Sequence, residues 1–248
     1  MDILVRDKFL TLWKKYFNNA ALPITFYYTD KDNRINSAKP QILPRCIIAA
    51  LSVVREGKPL YVEAESVKCF GGKRYLGFSR EITQNFDYFL SCGIPGKTRG
   101  ERYVKSPEMV REITKNTPAF TAPGKFVVFK RWDKLEEADN PEVVIFFAAP
   151  DVLSGLFTLA RFDETDRGAV QAPFGSGCAS IIQYPYLEQA SEHPRAIIGM
   201  FDPSARPFVP QDVLTMAVPM KKFIKMVDNM EESFLITESW QKVQRRIK

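Results

Sequence analysis

The chain has one histidine, four cysteines and no Cys-x-x-Cys spacing in 248 residues. One histidine excludes a multi-histidine metal site and leaves no well-placed base for a Ser-His-Asp arrangement. That residue, His193, sits in Glu192-His193-Pro194-Arg195 and reads as part of a surface loop. Without Cys-x-x-Cys the usual zinc spacing is absent. Long apolar runs are missing too. The longest are about nine residues (Cys46 to Val54) and eight (Val143 to Pro150), against the roughly twenty that span a bilayer. Met1 leads into Asp2-Ile3-Leu4-Val5-Arg6-Asp7, where charges interrupt the apolar residues, so no secretory signal is expected. The expectation is a cytoplasmic protein without a membrane partner, in which Cys46, Cys69, Cys92 and Cys178 form no disulfide framework.

What is present is an ordinary globular composition, 45% hydrophobic, with a net charge of +6. The charge is uneven. Residues 1–100 carry 16 Lys/Arg and 9 Asp/Glu, which leaves 19 and 20 for residues 101–248. The basic excess therefore lies in the first part of the chain. A solvated surface explains such an excess, and so does attraction of an anionic ligand.

Apolar spacing outlines the elements. Phe9, Leu12, Trp13, Tyr16 and Phe17 recur at three and four residues and predict an amphipathic first helix. A strand is expected at Ile24–Tyr28, a polar loop at 30–41, and a buried helix from Pro44 to Val54. Leu60–Val67 predicts a strand, Tyr75–Phe78 a short one, and 81–91 a helix with Phe86, Tyr88 and Phe89. Ser106-Pro107 caps a helix carrying Met109, Val110 and Ile113. Strands follow at Phe126–Phe129, Val143–Phe147, Gly168–Ala172 and Ile197–Phe201, and Val213–Val218 is a short apolar run. A helix from Pro150-Asp151 turns Leu153, Leu156, Phe157 and Ala160 inward. Two more place Met220, Phe223, Ile224 and Val227, then Trp240, Val243 and Ile247, on their inner faces. The fold expected is α+β: one domain over 1–248, a mixed β-sheet with flanking helices. Two similar α/β halves related by a pseudo-two-fold, at about 22–116 and 126–235, are a further expectation. In that repeat Ile24–Tyr28 matches Val143–Phe147, Pro44–Val54 matches Asp151–Ala160, and the Cys69 loop matches the Cys178 loop.

Two stretches combine glycine with a thiol: Cys69-Phe70-Gly71-Gly72-Lys73-Arg74 and Gly175-Ser176-Gly177-Cys178-Ala179-Ser180. Glycine permits tight turns and close backbone approach. A thiol at a helix start can be stabilised as thiolate. Neither stretch has the Walker or the dinucleotide-binding spacing. Three functions compete. In the first, Cys69, Gly71, Gly72, Lys73, Arg74, Gly175, Ser176, Gly177, Cys178 and Arg206 border a site for a small anionic molecule or cofactor. In the second, Cys46, Cys69, Cys92 and Cys178 ligate an iron–sulfur cluster or other metal cluster. In the third, the basic first hundred residues bind nucleic acid, although the aromatics there have core spacing. The first is favoured. Catalysis and self-association are left open by the sequence, as are the identity of the ligand and of any cofactor.

The Cys69-Gly71-Gly72 stretch after a strand, the Gly175-x-Gly177-Cys178-Ala179-Ser180 segment, and Arg206-Pro207-Phe208 together resemble the family called domain of unknown function 169, over about Leu22 to Phe234. The resemblance implies that Cys69, Gly71, Gly72, Gly175, Gly177 and Cys178 belong to a shared pattern. It implies no particular reaction.

Overall fold

A computed structural model describes residues 1–31 and 46–247. The expected 30–41 loop falls almost wholly outside these residues, as does the expected helix start at Pro44. The order of elements is α1 (Ile3–Phe17), β1 (Ile24–Thr29), α2 (Ile47–Arg55), β2 (Leu60–Glu63), α3 (Phe70–Tyr75), α4 (Phe86–Leu90), α5 (Pro107–Asn116) and β3 (Phe126–Arg131). The second part runs β4 (Val143–Ala148), α6 (Pro150–Ala160), β5 (Val170–Gln171), α7 (Tyr184–Glu188), β6 (Ala196–Gly199), β7 (Leu214–Pro219), α8 (Met220–Asn229) and α9 (Glu238–Gln244).

The strands form one seven-stranded mixed sheet in the order β2-β3-β1-β4-β7-β6-β5. Every neighbouring pair is antiparallel except β5 with β6. The α+β class is as the sequence indicates. The short apolar runs of β4 and β7 are buried on both sides, because each face of the sheet carries its own core. Val144, Phe146, Met216 and Val218 join α1, α6, α8 and α9 on one face. Val143, Ile145 and Ala217 join α2, Ile181 and Ile182 on the other.

The amphipathic reading of α1 holds residue by residue, since Phe9, Leu12, Trp13, Tyr16 and Phe17 are all buried. Several inner faces rotate. In α6 the buried residues are Val152, Gly155, Leu156, Leu159 and Ala160, while Phe157 is exposed. In α8 Lys222 and Met226 are buried and Ile224 is exposed. Lys222 pairs with Glu164 at 2.8 Å, a pairing that apolar periodicity does not register. Met109 and Ile113 of α5 are also exposed, leaving Val110 inside. The expected strand at Tyr75–Phe78 is instead the end of α3 and a turn at Gly77, which has φ +77°.

The sheet order has a two-fold pattern: β2-β3-β1 on one side answers β6-β7-β4 on the other, with β5 added at the far edge. A two-fold axis normal to the sheet, between antiparallel β1 and β4, keeps each helix on its own face. It therefore does not carry α2 onto α6, which lies on the opposite face. The helical segment on the α2 face in the second part starts at Gly177 and ends with α7. It packs on β6 and β7 as α2 packs on β2 and β3. On this face Cys46 precedes α2 and Cys178 lies at the opening of the segment that ends with α7.

Candidate functional site

The two glycine–cysteine stretches come together beside the start of α2. Cys46 is the residue before that helix, and Cys69 is the residue before α3. Gly71 and Gly72, expected from sequence in a loop that turns tightly or allows close approach, lie inside α3, and neither has positive φ. Their role is close approach. A Cβ on Gly72 would stand 3.1 Å from Ile47 Cγ1 and 3.2 Å from Val67 Cγ1. Gly177 does the same from the other stretch, where a Cβ would lie 2.8 Å from Ala205 Cβ and 3.2 Å from Ile48 Cγ1. The first residues of α2 are gripped between two backbones that carry no side chain.

Cys178 is buried at the start of a helical segment that is π-wound over Ala179–Gln183 before it becomes α7. π-turns of this kind recur at functional sites. The Ile48 backbone N–H reaches the Cys178 sulfur, so the opening of α2 meets the opening of this helix. Burial pushes the Cys178 thiol well above its ordinary value. The neighbouring Cys46, Cys69 and Asp202 push in the same direction, and the Ile48 N–H opposes them. The expectation of a helix-stabilised thiolate at Cys178 is therefore corrected: desolvation outweighs the helix start.

Reactivity follows from these surroundings. Cys92 is exposed and Cys46 and Cys69 are half-buried. In native protein at pH 8, iodoacetamide should modify Cys92 first and leave Cys178 intact until denaturant is added. Peptide mapping reads this directly, and equal labelling of Cys178 and Cys92 would contradict the burial. The sign of the pH effect is also set. A thiol whose folded value is raised favours folding below its unfolded value, about 8.5, and that contribution is lost as pH climbs further.

A buried carboxylate that the sequence reading did not single out organises the second stretch. Asp202 Oδ2 accepts from the Gly177 N–H at 3.2 Å. Its Oδ1 accepts from the Ser204 N–H at 2.9 Å and the Ser204 hydroxyl at 2.8 Å. Asp202 therefore fills the helix start at Gly177 with the chain's own negative charge. The only sequence signal was Asp202-Pro203 after a strand, which reads as a plain turn. Tyr75 adds a phenol from α3. Its hydroxyl lies within hydrogen-bonding range of Ser176, and burial raises its pKa above that of an ordinary tyrosine, which makes it a weaker acid. Tyr184 stands over Gly175, where a Cβ would fall 2.7 Å from its hydroxyl. Phe70, Phe174 and Phe201, which flank these stretches, are all exposed, and Tyr103 meets Phe174 edge-on at 5.8 Å.

The basic residues divide. Arg206 donates to the carbonyls of Val213, Pro210 and Gln211, so it ties its own loop. Arg74 donates to the Arg80 carbonyl at 2.5 Å. Lys73 has no ion-pair or hydrogen-bond partner through its side chain among the described residues. Of the four cysteines, Cys46, Cys69 and Cys178 converge, whereas Cys92 belongs to a separate loop, 92–100. No group of three or more His, Cys, Asp or Glu among the described residues is arranged to hold a metal ion. No helix among them is long and apolar enough to cross a membrane. Two open concavities share no lining residue with the convergence. One, of about 410 Å³, is lined by Leu153, Phe157, Ile198, Asp212 and Leu214, among others. The other, of about 460 Å³, is formed by the 92–100 loop itself.

The model of domain of unknown function 169, described as an uncharacterised ArCR, matches residues 14–229, and the chain belongs to that family. No curated protein and no solved structure gives a match.

Proposed function

We propose that this member of the family binds a small molecule with an anionic group where the Cys69 and Gly175–Cys178 stretches meet the start of α2. The observation that supports this most is convergence. Two stretches more than a hundred residues apart in sequence close around Ile47 and Ile48 through Gly72 and Gly177. They bring the half-buried Cys69 thiol, the Tyr75 phenol and the Ser176 hydroxyl to the half-buried Cys46 thiol at the start of α2. Small-molecule sites combine apolar and aromatic walls with a few placed polar groups. Exposed Phe70, Phe174 and Phe201 would supply the former. Lys73 is the cation left to meet an anionic group, because Arg74 and Arg206 are engaged with carbonyls and Asp202 already occupies the Gly177 helix start.

Native mass spectrometry of protein isolated without denaturation tests this reading. A small-molecule mass should accompany the wild-type chain, vanish on denaturation, and fall at least several-fold in Lys73→Ala and Cys69→Ala. A bare polypeptide mass throughout, or an adduct unaffected by both variants, would contradict it.

A further inference from the structure

We infer that the loop of residues 92–100 is a second binding site, for a phosphate group carried by a small molecule. The loop closes on itself around an open cup. Ile94 and Thr98 form an antiparallel bridge, with the Ile94 N–H donating to the Thr98 carbonyl at 2.8 Å. Gly93 and Gly100 touch backbone to backbone. A Cβ on Gly93, which has φ +75°, would fall 2.6 Å from both Gly100 N and Thr98 O. Gly96 has φ +68° and open space around it. The concavity of about 460 Å³ is lined by Gly96, Lys97, Thr98, Arg99 and Gly100, together with Cys92.

Its chemistry is that of an oxyanion receptor. Lys97 and Arg99 are exposed and have no acidic partner among the described residues. The backbone N–H groups of Gly96, Arg99 and Gly100, and the Thr98 hydroxyl, likewise have no hydrogen-bond acceptor there. The residues that carry these two cations, three amides and the hydroxyl line one concavity with no acidic residue among them. Successive free amides in a glycine-bearing turn favour tetrahedral anions, and a guanidinium pairs with phosphate through two parallel hydrogen bonds. The arrangement is not a nucleotide P-loop, since helix α4 (Phe86–Leu90) rather than a strand precedes it and no helix follows directly. The volume suits a phosphate with a small organic substituent.

Inorganic pyrophosphate titrated into uniformly ¹⁵N-labelled full-length protein tests the site. The expected result is saturable movement of the Gly96, Lys97, Thr98, Arg99 and Gly100 amide resonances. Affinity should fall at least ten-fold in Lys97→Gln/Arg99→Gln and stay unchanged in Lys73→Ala. Resonances that move equally with sodium chloride of the same ionic strength would overturn the inference. So would movement confined to other residues, or equal affinity in the double variant. Because Lys73 and Cys69 lie outside this loop, the outcome stands apart from that at the α2 junction.

Discussion

Replacing Lys130 with methionine should cost about 3–5 kcal/mol of folding stability, the range measured when one partner of a buried ion pair is removed. For a chain of this size that corresponds to a fall in Tm of roughly 6–20 °C. Lys130 and Asp139 have side chains only 8% and 5% exposed, and their charged atoms are 2.8 Å apart. Burial works against the lysine's charge, yet Asp139 and Glu136 hold its affinity for a proton above the usual lysine value. The stability linked to Lys130 is therefore present below an unfolded value of about 10.4 and is lost as pH rises beyond it. Asp139 also accepts from the Tyr27 hydroxyl and from the Glu136 N–H, and its carbonyl receives the amino terminus of Met1. Without Lys130 it would be a carboxylate with neutral donors alone. Lys130→Met/Asp139→Asn should recover part of the loss, because the stranded charge is gone. Thermal or urea unfolding of both variants reads the effect, and a single-variant loss below about 1 kcal/mol, the level of an exposed pair, would show that the pair is not buried as described.

Asp202→Ala should be the next most damaging change, at about 1–3 kcal/mol, from the buried Gly177 N–H left without its acceptor; the Ser204 donors belong to an exposed residue and can turn to water. The loss is less than the sum of the bonds, because removing the carboxylate also removes the desolvation cost of a buried charge. Gly177 and Ser204 would lose their acceptor together. Asp202→Asn keeps one oxygen, which satisfies either Ser204 or Gly177 but not both, so its loss should be intermediate. The graded series distinguishes a hydrogen-bonding role from simple packing: an Asn variant as unstable as the Ala variant would favour packing. The same change frees the helix start at Gly177, so Cys178 should become easier to alkylate in Asp202→Ala than in wild type.

Much of this architecture is legible in the residues. The α1 face is legible because five apolar positions share one stripe and the tertiary structure adds nothing to contradict it. The α6 and α8 faces are less so. Apolar residues there outnumber the inward positions, and packing against α1 and α9 decides which turn in. Leu60–Val67 is apolar enough for a strand, but pairing with β3 stops at Glu63 and the chain turns through Ser66, whose hydroxyl donates to the Glu63 carbonyl. The glycines at the junction were visible as glycines, but not what they meet. Their contacts with Ile47 and Ile48 join segments that no local pattern connects. Asp202 was missed for the same reason, since its partner Gly177 lies 25 residues away. Sequence order sets α6 against α2, but α6 lies on the opposite face of the sheet, while the segment from Gly177 shares the α2 face, a placement no local pattern carries.

The central claim is that the junction of the Cys69 and Cys178 stretches with α2 takes an anionic small molecule through Lys73. A thermal-shift panel of carboxylates and phosphate esters tests it most directly. Binding at a hundred times Kd should add about 2.7 kcal/mol to stability. The prediction is at least one compound whose shift is saturable, is abolished in Lys73→Ala and Cys69→Ala, and survives in Lys97→Gln/Arg99→Gln. A panel in which every shift is the same in wild type, Lys73→Ala and Cys69→Ala would contradict it.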